Sequence, residues 1–201
     1  RSLALTNHQE VYQEQFSEFG FSDVYVNANY KIKEKTGLTL GVKIPLMDGN
    51  KMMDGLSLPM DYQASLGTFD LLFGIAQEIK KFQIVLALQQ PLTQNSNQFL
   101  AQKAPINSPL RTFQSTNNYQ RSGDALLRLS YPFGLNKKLK LTPSLLTIYH
   151  LADDKYTNII DVEETIIGSQ GLTLNANVYL DYSLNEKSDL QLIIAAPFIV
   201  R

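Results

Sequence analysis

The chain contains no cysteine, which removes disulfides, thiolate metal sites and cysteine nucleophiles from consideration. It is short of charge: 18% of residues are Asp, Glu, Lys or Arg, against about 25% in an average soluble domain. The formal net charge is -1, so no strong field steers the protein toward nucleic acid or anionic lipid. No apolar run approaches the ~18 residues that a membrane-spanning helix requires. Histidine is nearly absent, with only His8 and His150. The Gly-rich phosphate loops and basic-aromatic patches of nucleotide and nucleic-acid binders are missing too. The chain opens on Arg1 with no secretory leader in view, as a trimmed chain would.

What fills the sequence instead is alternation with period two. Leu172, Leu174, Ala176, Val178, Leu180 and Tyr182 share one phase, and Thr173, Asn175, Asn177, Tyr179 and Asp181 the other. Val24, Val26, Ala28, Tyr30 and Ile32 alternate with Asp23, Asn27, Asn29 and Lys31 in the same way. So do Leu38, Leu40, Val42 and Ile44 with Thr39, Gly41 and Lys43. Similar segments follow at 69–75, 82–88, 127–133, 139–151 and 190–198. About eight strands of roughly ten residues result, close to the 9–11 residues with which a tilted strand crosses hydrocarbon. Pro45, Pro91 and Pro197 fall near strand ends, where a missing N–H is tolerated. Pro143 falls inside a strand and predicts a bulge or register shift there.

The connections alternate in length. Short Lys- and Asn-rich turns lie at 33–36, 80–81, 136–138 and 185–188, and long polar ones at 47–66, 93–122 and 153–170. Short turns at one end and long loops at the other are the habit of outer-membrane barrels. Hairpins beginning near Asp23, Asp70 and Asp124 form a weak internal repeat. Tyr30, Phe82, Tyr131, Phe133 and Tyr182 take the apolar phase near the short turns, as one interfacial belt would. Phe69, Tyr149 and Phe198 lie toward the long loops, as a second belt would.

The expected fold is therefore all-β: an antiparallel, up-and-down transmembrane β-barrel forming a single domain over 1–201. About eight strands would be visible of about ten to twelve, on the even-number rule. The strand order makes 1–18 the remnant of an extracellular loop and leaves the barrel incomplete at both ends.

Three segments resemble the outer-membrane transporters of the meta-pathway phenol-degradation family: GFSDVYVNANY (20–30), GLTLGVKIP (37–45) and LGTFDLLFG (66–74). LTPSLLTIY (141–149) fits that family's later strands. The resemblance covers most of the chain and implies a barrel of about a dozen strands that passes small molecules, hydrophobic ones among them. It brings no catalytic residues with it.

Candidate lumen and mouth residues are Asp23, Asp70, Asp124, Arg128, His150 and Lys43, all in the polar phase. The three Asp residues occupy equivalent places. They read either as a partial acidic ring that favours cations, or as turn-ending carboxylates that pair with a neighbouring Lys or Arg. Arg128, Lys43, Lys31 and Lys140 are expected to pair with lumen carboxylates. His150 has too few companions for a zinc site. Asp153, Asp154, Asp161, Glu163 and Glu164 lack calcium-loop spacing and read as solvated loop carboxylates. No Ser carries a triad pattern, so no enzyme and no cofactor is expected.

The functional expectation is a channel or transporter of the bacterial outer membrane for passive passage of small molecules. Its partners would be lipid, the solute, and proteins reached through the long loops, but not nucleic acid. One alternative is a structural or partner-binding barrel with a plugged lumen, and a second is a soluble ligand-binding β-barrel. The loop 93–122 separates the first two. Folded inward it constricts or plugs, and folded outward it presents a surface.

Overall fold

The computed structural model describes residues 2–7, 10–15 and 20–200. Each run of alternating residues emerges as a strand in a sheet of nine. With 55% strand and 6% helix the protein is all-β, and its antiparallel sheet curls into a half-barrel. A first hairpin pairs β1 (Ser2–Asn7) with β2 (Glu10–Gln15), and β1 lies beside the 3-10 turn Pro109–Thr112. This hairpin occupies part of the segment expected as a loop remnant. His8 lies outside the described residues.

The main sheet begins with β3 (Val24–Lys33) and β4 (Thr36–Ile44). A two-residue hairpin of β5 (Met52–Met53) and β6 (Leu56–Ser57) interrupts the connection to β7 (Asp70–Ile79) and β8 (Phe82–Pro91). Next come β9 (Asp124–Ser130), the short β10 (Phe133–Gly134) and β11 (Leu139–His150). The hairpin β12 (Asp154–Thr157) and β13 (Glu163–Ile166) precedes the last pair, β14 (Gly171–Asn185) and β15 (Ser188–Ile199). Spatial order follows chain order from β3 to β15, with β10 attached to β11 only. The edges are β3 and β15, and both are exposed along their whole length.

The register keeps the two phases apart across all eight long strands. Val42, Leu71 and their partners on β8, β9 and β11 share one face: Leu40 faces Phe73, Phe73 faces Leu88, Leu88 faces Ala125, and Ala125 faces Tyr149. These apolar residues stay open, with Leu40 54%, Phe73 45%, Leu86 52% and Ile194 61% exposed. On the other face small polar residues are shielded, among them Ser130, Ser144, Thr142 and Asn177. Short side chains sheltered on one face and large ones exposed on the other identify the polar face as the concave side of the curl. Near the short turns Phe82 meets Tyr131 edge to face at 4.8 Å between centroids, and Tyr131 meets Phe133 in a tilted pair at 4.6 Å.

Two local expectations are corrected. The strand expected over 127–133 runs instead from Asp124 to Ser130 and breaks at Tyr131-Pro132, because proline has no N–H with which to continue the ladder. Pro143 causes no bulge: β11 and β14 pair in unbroken register through Pro143 and Val178. The Pro143 carbonyl accepts from Tyr131 N, so its N–H-less edge faces the place where β9 has just left the ladder, and no bond is lost. The register shifts lie elsewhere, at Lys31/Lys33, Leu174/Asn175 and Ser183/Asn185.

The long loops are not open coil. Leu58, Phe99, Ala104 and Leu110 form a buried core drawn entirely from the 45–69 and 92–123 connections, with Met53, Tyr62, Ala101 and Phe113 around it. Asn97, fully buried, fastens the two loops. Its Nδ2 donates to the carbonyls of Gly49 and Leu58 at 3.0 Å. Its Oδ1 accepts from Phe99 N at 2.9 Å and Thr116 Oγ1 at 2.8 Å, so all four hydrogen-bonding positions of the amide are used. Gly67 completes the join. Its φ of +68° is one that L side chains avoid, and a Cβ there would stand 2.2 Å from Asp48 O.

Candidate functional site

Where these loops meet the concave wall, a row of charged side chains is buried. Antiparallel register sets it out: Lys43 lies opposite Asp70, Gln89 opposite Asp124, and Asp124 opposite His150. Because all sit in the polar phase at the long-loop ends of their strands, they point to one side at nearly one height.

The first half centres on Lys43, whose side chain is 1% exposed. Its Nζ lies 3.0 Å from Asp70 Oδ2 and 3.6 Å from Asp23 Oδ2, and donates to Thr68 Oγ1 at 2.9 Å. Thr68 Oγ1 passes its own proton to Asp70 Oδ1 at 2.7 Å, and Ser65 Oγ donates to Asp23 at 2.5 Å. Gln89 Nε2 donates to the other Asp70 oxygen at 2.5 Å. Ser65 and Thr68 belong to the first long loop, so these bonds hold that loop against the wall.

The second half centres on His150, 1% exposed. Its Nδ1 lies 2.7 Å from Asp124 Oδ1 and its Nε2 2.7 Å from Asp154 Oδ1. Both ring nitrogens are thus engaged by carboxylates of two different segments, the wall strand β9 and the third loop. Arg121 pairs with Asp124. Tyr119 donates to Asp154 Oδ2 at 2.6 Å and Ser122 N to Asp154 Oδ1 at 2.8 Å. The second and third long loops are thereby tied to the same wall.

Chemically this is a closed ion network. Each ring nitrogen of His150 is taken by a carboxylate, which leaves none to activate a hydroxyl as a triad histidine does. Asp70 and Asp124 are buried and Asp23 is mostly so, Asp23 and Asp70 facing Lys43 and Asp124 facing Arg121 and His150. Of the expected lumen pairs, Lys43 makes two, and Lys140 makes an exposed one with Asp181 at 3.9 Å. Arg128 and Lys31 are corrections: neither makes an ion pair or side-chain hydrogen bond among the described residues. Their concave-face neighbours in register are Gly37, Ala76, Val85 and Leu146, which offer no acceptor side chain.

The acidic cluster of the third loop divides likewise. Asp154 is buried on His150, while the others stay outside. The Gln170 backbone N–H, the main cause, with Ser169 assisting, lowers the Asp153 carboxyl below its ordinary value. Lys155 lowers Glu163, and the Tyr156 hydroxyl followed by the Asn158 amide lowers Glu164. Asp153, Glu163 and Glu164 are each engaged by a separate set of partners, and no group of three or more such side chains among the described residues is arranged to hold a metal ion.

Sequence reading missed Asp154, Arg121, Tyr119, Gln89, Thr68 and Ser65 as members of this network. Arg121 stands three residues before Asp124, and Asp154 four after His150, positions that strand periodicity does not reach. No protein-family model matches the chain, and no curated protein matches it.

Proposed function

We propose that the chain forms the wall and constricted mouth of a bacterial outer-membrane β-barrel through which small molecules pass passively. The observation that carries this reading is the convex face. Exposed Leu, Val, Ile and Phe side chains recur in the apolar phase of the strands, while Ser130, Thr142, Ser144 and Asn177 of the polar phase are buried. Soluble monomers rarely expose a contiguous apolar patch beyond about 300–600 Å², and lipid is the solvent that such a face suits. The aromatic cluster of Phe82, Tyr131 and Phe133 has the chemistry of an interfacial belt. A closed barrel would need the edges β3 and β15 paired.

The loops decide what kind of mouth this would be. Segments 65–68 and 119–122 fold inward onto the concave wall and are fixed there by the ion network. That supports a narrowed opening over a wide one. A solute would then move along the concave face below the loops.

The test is a full-length chain reconstituted in liposomes, scored for entry of small polar and apolar solutes. Passage above that of empty vesicles is expected. A protein that stays monomeric and soluble without detergent would defeat the membrane reading.

One observation favours a second reading, in which the loops bind a protein partner. The third loop exposes Ile160 at 74% and Ile167 at 90% beside Ile159 and Val162, an apolar tip with no packing role in the fold. Normal membrane insertion with no solute passage would move the account to that reading.

A further inference from the structure

Toward the short turns the convex face carries a hollow, set where β9 leaves the ladder. That strand ends at Ser130, Pro132 blocks its continuation, and the Tyr131 N–H reaches the Pro143 carbonyl at 3.1 Å. Leu129, Leu145 and Ala176 form one register row across β9, β11 and β14, and Pro143 faces Val178 two residues nearer the turns. Pro143 and Ala176 are short, so the space between the two leucines and the Phe82–Tyr131 pair stays unfilled. An open hollow of about 300 Å³ results. Seven of the ten residues that line it are in the apolar phase. The other three, Ser130, Ser144 and Asn177, alternate with them in the ladder and are themselves buried.

The chemistry changes at the end of the hollow nearest the turns. Phe82 and Tyr131 bound it there, edge to face. The turn directly before Phe82 is Lys80-Lys81, both exposed and without an ion pair among the described residues. The Tyr131 hydroxyl likewise has no hydrogen-bond partner among the described residues. The carboxylates on neighbouring strands at this end, Glu78, Asp181 and Asp189, are in the polar phase and belong to the concave side. Glu34 and Glu186 lie in the turns of other hairpins.

An apolar seat therefore ends in two unmatched cations and a phenol with a donor to spare. A hydrocarbon chain fills such a seat, an anionic oxygen group takes up the ammonium and hydroxyl donors, and an amphipathic ring suits the head-group level between them. We propose that this face holds one anionic glycerophospholipid, with an acyl chain in the hollow and its phosphate at Lys80, Lys81 and Tyr131. The assignment rests on the proposed membrane reading and names a lipid partner for the face that meets the bilayer.

The probes are phosphatidylglycerol and phosphatidylcholine with identical acyl chains, the first with a net negative head group and the second with none. Native mass spectrometry of the full-length chain, released from nonionic detergent micelles, counts the lipid retained. One phosphatidylglycerol is expected to stay bound in preference to phosphatidylcholine, by about tenfold for two lysines near the phosphate. The double variant Lys80→Asn, Lys81→Gln should abolish that preference. Asn suits position 80, where φ is +57°. Ala176→Leu should lower retention of both lipids by filling the hollow, with the strand signal in circular dichroism unchanged.

Equal retention of the two lipids by the unaltered chain would overturn the site. So would a preference that survives the double lysine variant, or phosphatidylglycerol retention that Ala176→Leu leaves intact. A chain that inserts into liposomes yet retains both lipids equally would lose this site and keep the membrane reading. A chain that stays monomeric and soluble without detergent would lose both.

Discussion

Replacing Lys43 by Met removes the only cation from the first half of the ion network while keeping most of the side-chain volume. At 3.0 Å and an effective dielectric of about 20, the attraction of Lys43 to Asp70 is about 5 kcal/mol, and that to Asp23 at 3.6 Å is slightly smaller. Desolvation of all three groups offsets much of this, so the net worth of the cluster is small. Breaking it is another matter. Asp70 is shut from solvent and Asp23 nearly so, leaving two carboxylates about one lysine apart with only Thr68, Ser65 and Gln89 as donors. The expected loss is about 3–5 kcal/mol, the range for a buried pair deprived of one partner. Urea titration of the refolded full-length chain, followed by tyrosine fluorescence, reads the global effect, and hydrogen exchange at the Gly67 amide reads the loop. Asp70→Asn in the same chain should recover at least about 1 kcal/mol, because it discharges the deeper carboxylate. A loss below about 1 kcal/mol, as for a solvated surface pair, would refute the claim that this network is desolvated and holds the loop to the wall.

Asn97→Asp keeps the shape of the side chain but turns its two donors into acceptors facing the Gly49 and Leu58 carbonyls. It should cost about 2 kcal/mol or more, seen as faster proteolysis within 93–122 while the sheet keeps its circular dichroism. The β12–β13 hairpin should loosen in acid. Asp153, Glu163 and Glu164 are all held below their ordinary values, so their contribution is complete above the ordinary carboxylate range and is lost as pH falls through the lowered values. Amide exchange of Lys155 and Thr165 between neutral and strongly acidic solution checks the sign, and greater protection in acid would contradict it.

Much of the wall was legible in the sequence. Period-two alternation is imposed by the pleat itself, so residues 24–32, 38–44 and 172–182 declared their faces without any knowledge of partners. The Lys-rich turns declared which strand ends meet. The site was half legible. Asp23, Lys43, Asp70, Asp124 and His150 were identified by phase, since residues in one phase at one height must converge on a curled sheet. Their partners in the loops were hidden, because nothing periodic relates Thr68, Tyr119 or Asp154 to a strand. The loop core was hidden for the same reason: Leu58, Phe99 and Leu110 are brought together by Asn97, one amide contacting four backbone or side-chain groups in three places. Arg128 was expected to pair because it shares the polar phase with the aspartates. Only the register, which sets Val85 and Leu146 beside it, shows that no carboxylate is there.

The central claim is that the convex, apolar phase faces lipid and the concave phase faces a water-filled interior. The absence of native cysteine makes it directly measurable by single-cysteine spin labelling of the full-length chain in bilayers. Labels placed one at a time along β8 at Ile84, Val85, Leu86, Ala87 and Leu88 should alternate. Ile84, Leu86 and Leu88 should be relaxed by oxygen dissolved in the hydrocarbon, and Val85 and Ala87 by a water-soluble nickel chelate. A flat profile, or nickel access at Leu86 equal to that at Ala87, would contradict the account.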